Sequence, residues 1–157
     1  MPQLSMHSPI GDLAVSEDDG AIVSVDWGWG RDNTATPLLK EAKKQLEAYF
    51  DGKLKDFDLP LTLQGSAFQK QVWKAMIKIP YGKTLTYGEI ATKLGGAARA
   101  VGGACGSNRI PVIVPCHRVL AAGGGLGGYS GSGGLVTKTA LLRLEGARFH
   151  EQPQLGI

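Results

Sequence analysis

Thr86-Tyr87-Gly88-Glu89-Ile90-Ala91-Thr92-Lys93-Leu94-Gly95-Gly96-Ala97-Ala98-Arg99-Ala100-Val101-Gly102-Gly103-Ala104 is the stretch from which the rest of the chain can be read. Thr86 and Glu89 stand at capping-box spacing, so each satisfies an amide that the first helical turn leaves unpaired. Ile90, Ala91 and Leu94 give the helix behind them an apolar face, and Gly95-Gly96 ends it. A second short helix follows from Ala97, which predicts a helix-turn-helix. Apart from Arg99 and Val101, that second helix consists of Ala and Gly only. Gly102 and Gly103 each cost it about 1 kcal/mol of helix propensity, so something other than helix stability accounts for them. Small residues let a backbone come close to another surface, either a neighbouring helix or a nucleic-acid groove. Readers of the major groove present long polar side chains to base edges. A bare helix with one arginine suits the minor groove better, with Arg99 as a wedge and Ala98, Ala100, Gly102 and Gly103 as the contact surface.

Charge points the same way. The chain of 157 residues carries a net +3, distributed unevenly. Up to Gly65 there are six Lys/Arg against eleven Asp/Glu; from Ser66 onward there are eleven against three. A polyanion would be drawn to the second part and repelled by the first, although a solvated basic surface accounts for the excess equally well. With 43% hydrophobic residues the chain can bury a real core. It shows no membrane-length apolar run and no signal-peptide pattern. Two cysteines, Cys105 and Cys116, are too few for a disulfide framework, so reduced thiols in the cytoplasm or nucleoid are expected.

Upstream, Leu13 and Val15, then Ile22, Val23 and Val25, flank the turn-like Asp18-Asp19-Gly20 and predict a β-hairpin. Thr36 and Pro37 open a helix in which Leu38, Leu39, Ala42, Leu46, Tyr49 and Phe50 follow helical spacing up to Gly52. Phe57–Leu63, with Pro60 inside, reads as an extended linker. Residues 1–62 are therefore expected to form a small α/β lobe of sheet plus helix, in a supporting role. Residues 63–157 are expected to form a mainly helical domain. Its first helix is capped by Ser66, carries Phe68, Val72, Ala75, Met76 and Ile79 inward, and stops near Pro80-Tyr81-Gly82.

Chemistry concentrates in Ile110-Pro111-Val112-Ile113-Val114-Pro115-Cys116-His117-Arg118-Val119. The thiolate is the reactive form of cysteine, and cationic neighbours favour it. Three readings fit these residues: a nucleophile that keeps what it attacks, a Cys–His hydrolase, and an inert buried cysteine. No ligand spacing for a metal is present, and none is expected.

Pro115-Cys116-His117-Arg118-Val119 resembles the active-site motif of the O6-alkylguanine-DNA alkyltransferases, the methylated-DNA–protein-cysteine methyltransferases. The resemblance extends through Phe68-Gln69, Val72-Trp73, Ile79-Pro80-Tyr81-Gly82, Thr86-Tyr87-Gly88-Glu89-Ile90-Ala91, Arg99-Ala100-Val101-Gly102, Asn108, Gly128-Tyr129 and Leu141-Leu142-Arg143-Leu144-Glu145-Gly146, in the family's order. It implies an RNase H-like first lobe and a helix-turn-helix that enters the minor groove of double-stranded DNA carrying O6-alkylguanine, with O4 of thymine as a further target. Arg99 would fill the gap left by the flipped base. Tyr87 would help rotate the nucleotide and donate a proton to guanine N3. Asn108 would be the hinge before the active-site loop.

The resemblance also implies that Cys116 accepts the alkyl group, with His117 as its base through a water and Glu145 orienting the imidazole. Arg118 would support the loop. Carbonyls of Cys116 and Val119 would read the guanine amino group, the Ser130 amide would support O6, and Tyr129 would line the pocket. The thioether product has no simple leaving group, so a single irreversible turnover without cofactor is expected, by a monomer that needs no protein partner. A non-catalytic, lesion-binding relative is a further alternative, against which Cys116 itself speaks. Three departures stand out. Arg109 replaces the family's usual proline after the hinge, which predicts a looser loop and an added phosphate contact. The segment after Tyr129 is longer than usual, and Gly123–Gly134 reads as a mobile wall tolerant of groups bulkier than methyl. Cys105 stands where a small or medium apolar residue is usual, and packing is its expected role.

Overall fold

The computed structural model describes residues 1–150; residues 151–157, the end of the expected second domain, lie outside the described residues. Three strands, β1 (Gln3–Met6), β2 (Leu13–Asp18) and β3 (Ala21–Trp27), form an antiparallel sheet in that order. The β2–β3 connection is the expected hairpin. Asp19 and Gly20 both have positive φ, 50° and 79°, the two-residue turn whose twist matches the flanking strands. β1 was not foreseen, because Gln3-Leu4-Ser5-Met6 is too short to establish a period. Its Leu4 and Met6 are buried.

Helix α1 (Pro37–Phe50) packs on this sheet. Thr36 caps it, accepting from the Leu39 amide at 3.1 Å, and its hydroxyl donates to Glu17 Oε2 at 2.8 Å, which fastens the helix start to β2. Leu39, Ala42, Leu46 and Tyr49 form its buried stripe. The stretch read as a linker does more than link. The Ile22 amide donates to the Pro60 carbonyl (2.8 Å) and the Thr62 amide to the Ile22 carbonyl (2.9 Å), so Leu61 adds a parallel bridge to β3. Pro60 needs only its carbonyl there, which a proline at a sheet edge can supply.

Helix α2 (Ala67–Ile77) begins with a full capping box between Ser66 and Gln69. Its buried face is Val72, Trp73 and Met76; Phe68 and Ala75, expected inward, are only half-buried. Trp73 was missed because an indole exceeds the narrow stripe that spacing alone assigns. Its Nε1 donates to the Ala104 carbonyl at 2.8 Å and joins α2 to a helix thirty-one residues later.

Helices α3 (Tyr87–Leu94) and α4 (Ala98–Gly106) follow each other across a short turn and pack together, an arrangement consistent with a helix-turn-helix. The Thr86–Glu89 capping box is present, and Gly95 closes α3 in the left-handed conformation at φ 73°. A parallel pair, β4 (Leu85–Thr86) with β5 (Val119–Leu120), holds the start of α3 against the end of the Cys116 loop. Helix α5 (Leu135–Leu144) completes the fold. One hydrophobic cluster runs from Leu4 and Leu46 through Trp73 and Ile90 to Cys116 and Leu141, so the sheet half and the helical half share a core. Among the described residues no helix is long and apolar enough to cross a membrane.

Candidate active site

Residues 110–120 are buried throughout, which is unusual for a segment with little regular structure, so its backbone groups need local partners. Asn108 supplies two. Its Oδ1 accepts from the Ile110 amide and its Nδ2 donates to the Val114 carbonyl, each at 2.9 Å. Tight turns supply others. The Ile113 amide donates to the Pro111 carbonyl (2.9 Å) around Val112, which stands at φ 71°. This is a γ-turn with positive φ at a β-branched residue, a strained arrangement that costs about 1–3 kcal/mol. A second, relaxed γ-turn has Pro115 at its centre (φ −82°, ψ 67°), and the Cys116 amide donates to the Val114 carbonyl at 2.8 Å. The acceptor candidate thus stands at the end of a folded-back, hydrogen-bonded loop, and a short 3-10 turn (Cys116–Arg118) follows.

Cys116 is 6% exposed and borders a cavity of about 230 Å³. Tyr87 and Tyr129 contribute rings to that cavity, Gly102 and Gly106 come from α4, and Gly128 and Ser130 from the glycine-rich loop. Burial pushes the Cys116 thiol up from its ordinary value, while the Asn108 side chain and the charge of Lys138 act in the other direction. At rest it is a thiol, so a base is needed to make it a nucleophile.

His117 has the features of that base. It is fully buried, and burial holds its imidazole below the usual range despite the neighbouring Glu145. The neutral ring presents Nε2 to Glu145 Oε2 at 2.8 Å. With the proton on Nε2, the lone pair lies on Nδ1, and Nδ1 has no hydrogen-bond partner among the described residues. Burial acts to raise the Glu145 carboxyl, but donors from His117, Arg118 and Tyr49 outweigh it and bring it down to about 2. Arg118 is wholly engaged inside the protein: Nε and Nη2 donate to Glu145 at 2.8 and 3.0 Å, and Nη1 to the Ile79 carbonyl at 2.7 Å.

Tyr87, the first residue of α3, has its hydroxyl 3.5 Å from the Gly128 carbonyl at the cavity wall. Tyr129 packs edge-on to Trp27 of β3, with ring centroids 6.3 Å apart. Its buried hydroxyl has no partner among the described residues. Ser130, next along, is exposed. Cys105 is buried with Sγ 3.7 Å from Met76 Sδ, and burial pushes its thiol up to about 12. It packs as expected and, in addition, forms part of the cavity wall.

Two expectations are corrected. Arg109 does not loosen the hinge: its carbonyl accepts from the Val25 amide at 2.9 Å and its guanidinium donates to Gln64 at 3.2 Å, so β3 and the linker hold it. Nor is the glycine-rich segment a free wall. Lys138 Nζ donates to the carbonyls of Val119, Leu126 and Gly128 at 2.7, 2.5 and 3.0 Å, three donors for three acceptors. Thr137 fixes the Ser132 carbonyl in turn. Lys138 escaped the sequence reading, although a lysine on the same helix face as Leu141 and Leu142 is itself a signal. Tyr49 also escaped it, being assigned only to the apolar face of α1; yet a buried phenol needs a partner, and this one is Glu145 at 2.5 Å.

The exposed face of α4 completes the site. Ala98, Arg99, Ala100 and Gly103 are exposed and Gly102 half-buried, whereas Val101, Ala104 and Cys105 point inward. A Cβ built at Gly102 or Gly103 would meet nothing within 4 Å among the described residues. Internal packing therefore does not require those glycines.

Comparison with known proteins agrees with this geometry. Residues 67–147 match the 6-O-methylguanine DNA methyltransferase, DNA binding domain, and residues 4–63 match the ribonuclease-like domain of the same proteins. The chain belongs to the 6-O-methylguanine DNA methyltransferase family. A methylated-DNA–protein-cysteine methyltransferase of Methanosarcina acetivorans is 46% identical over 151 residues, covering 90% of this chain and 96% of its own. The constitutive one of Bacillus subtilis is 40% identical, covering 93% and 96%. Among solved structures, Mycobacterium tuberculosis OGT in complex with DNA superposes with a TM-score of 0.84 at 43% identity, covering 93% of each chain. The family's two-part architecture, a small sheet lobe and a helical domain, is the one seen here.

Proposed function

We propose that this protein repairs DNA by transferring an alkyl group from O6 of guanine to Sγ of Cys116. The observation that carries the reading is the Cys116 thiol on a cavity wall with the buried His117–Glu145 pair beside it. Support comes from family membership and from α4, whose outer face carries Arg99 among alanines and glycines, the glycines being ones the fold itself does not require.

In the proposed reaction the Cys116 proton passes through a water to His117 Nδ1, which Glu145 keeps oriented. The sulfur attacks the alkyl carbon in line, the C–O6 bond breaks, and the electron pair leaves with guanine. Tyr87 donates its proton to guanine N3 and regains one from solvent. Burial keeps the Tyr87 phenol above its ordinary value, so it is a donor at neutral pH. The carbonyls of Cys116 and Val119 face the guanine amino group. Lys138 occupies one lone pair of the Val119 carbonyl and leaves the other for the base. The Ser130 amide supports O6, and Tyr129 lines the pocket. The reacting carbon lies inside the stacked duplex, so the nucleotide has to be extruded. In this reading α4 enters the minor groove with Ala98, Ala100, Gly102 and Gly103 against the backbone and Arg99 in the vacated stack. Asn108 is the fixed hinge between α4 and the acceptor loop.

The product thioether is stable, so one molecule repairs one lesion, as a monomer with a domain boundary at 62/63, wherever the DNA is. Intact-protein mass spectrometry after mixing with excess methylguanine duplex tests the reading. A gain of one methyl that is lost in Cys116→Ser supports it. Binding without mass gain would mark a lesion-binding relative, and repeated turnover a hydrolase. Comparing methyl- with benzyl-guanine duplexes in the same assay gives the alkyl size that the anchored loop admits.

A further inference from the structure

The first half of the chain supplies one polar side chain to the buried cluster behind Cys116. Tyr49, at the end of α1, is fully buried, and its hydroxyl donates to Glu145 Oε2 at 2.5 Å. The same oxygen takes His117 Nε2 at 2.8 Å and Arg118 Nη2 at 3.0 Å. The other oxygen takes Arg118 Nε at 2.8 Å and the Gly82 amide at 3.4 Å. Tyr49 is the shortest of these contacts, and it competes directly with His117 for one oxygen. We infer that Tyr49 is a positioning residue for alkyl transfer, whose hydroxyl, by sharing Glu145 Oε2 with His117, sets the pH range in which His117 serves as a base. The inference rests on the reaction proposed above.

If bulk alone mattered at this position, a phenylalanine ring would fill the same space without a hydroxyl to desolvate. The ring is also fixed. Phe50, Phe57 and Tyr81 lie around it with centroids 5.4, 5.3 and 6.1 Å away, so the hydroxyl cannot swing to another acceptor. Burial and the carboxylate both push the phenol far above its ordinary value, so Tyr49 remains a donor at every pH the fold survives.

The electrostatic consequence has a definite sign. A carboxylate oxygen that already accepts from Tyr49 is a weaker partner for an imidazolium. Removing the hydroxyl concentrates negative charge on the oxygen facing His117 and raises the pKa of the imidazole. The other groups facing the pair remain in place. These are Arg118 from the acceptor turn, Lys138 from α5 and Cys116 next in chain, with Tyr81 on the far side of Glu145 and Lys55 above the Tyr81 ring. Arg118 and Lys138 hold His117 down in both proteins, so the difference isolates Tyr49.

The experiment titrates His117 by nitrogen NMR in the unreacted protein and measures single-turnover transfer from a methylguanine duplex between pH 5.5 and 8.5. In Tyr49→Phe the His117 pKa rises by about half to one unit, the scale on which one hydrogen bond to a charged group acts. Transfer falls several-fold at the acid end and recovers toward pH 8.5. Replacing Tyr49 by 3-fluorotyrosine, a stronger donor of nearly the same shape, moves the titration the opposite way and serves if the phenylalanine variant folds poorly. Leu46→Ala, in the same helix and core, lowers stability without moving either curve. An unchanged His117 titration in both Tyr49 variants overturns the inference. If wild-type protein gains no methyl, the proposed reaction fails, while the NMR titration still decides what Tyr49 does to His117.

Discussion

Lys138 Nζ lies 2.7 Å from the carbonyl oxygen of Val119, so a single ammonium on α5 ties the end of the acceptor loop to the glycine-rich wall opposite it. Burial lowers Lys138 to about 8, which leaves it charged at neutral pH with all three protons donated to carbonyls.

Replacing Lys138 by Met keeps the length of the side chain and removes the donors. The buried carbonyls of Val119 and Leu126 then lose their donor, at about 1–3 kcal/mol for each that finds no other, and the more exposed Gly128 carbonyl loses one of its two. The melting temperature should fall, and single-turnover transfer should drop by on the order of a hundredfold, the effect of misplacing a reacting group by about 1 Å. Lys138→Arg should not rescue, because a planar guanidinium cannot meet three convergent acceptors. A rate within about twofold of wild type in either variant would show that the loop holds its shape without the lysine.

Asn108→Ala removes both side-chain bonds that close the acceptor loop and the amide that favours the Cys116 thiolate. The reactive thiol should therefore titrate at higher pH than in wild type, as read by the rate of iodoacetamide labelling against pH. An unchanged profile would assign the hinge a purely mechanical role.

Acid should weaken the fold through Glu145 and His117 together. Glu145 titrates near 2 in the fold against an ordinary 4.5, so its contribution is complete above 4.5 and is lost as pH falls from there toward 2. His117 is held below its ordinary 6.5, so the unfolded chain takes up that proton first and stability begins to fall below 6.5. Melting temperature measured from pH 7 to pH 4 should decline continuously, and Glu145→Gln should start lower with a shallower slope.

Arg99 is exposed, so its loss should leave the melting temperature unchanged. In Arg99→Ala, transfer from duplex DNA should fall much further than in Lys93→Ala, whereas transfer from free O6-benzylguanine should be untouched by either. Equal losses for the two on duplex would remove the wedge role.

Gly103→Leu separates folding from contact. Gly103 is exposed and a Cβ there meets none of the described residues within 4 Å, and replacing a helical glycine gains up to about 1 kcal/mol, so the variant should melt higher than wild type. Its duplex affinity in a fluorescence-anisotropy titration should nonetheless fall at least tenfold. Unchanged affinity would place the DNA on another face.

The local structure was legible wherever short-range chemistry decides it. Thr36-Pro37, Ser66 and Thr86–Glu89 announce three helix starts, and Asp18-Asp19-Gly20 the hairpin. The acceptor loop was legible as a site but not as a shape, since two γ-turns stabilised by Asn108 leave no periodic trace. Lys138 and Tyr49 stayed hidden for a related reason. Each lies on an apolar helix face where spacing sees only a core position, and each is explained by a partner outside its own helix. Arg109 misled in the opposite direction, because an arginine in place of proline suggests looseness until β3 is seen holding its carbonyl.

The bond between Tyr49 and Glu145 spans 96 residues and has a consequence for the order in which the molecule can be made. The sheet and α1 leave the ribosome before α5, carrying a phenol destined for the interior whose buried acceptor does not yet exist. Its acceptor is among the last described residues to emerge, at the end of α5. The nascent N-terminal half must therefore keep that end of α1 open to water until α5 has been made, and the closure that then seals the core also assembles the reactive centre.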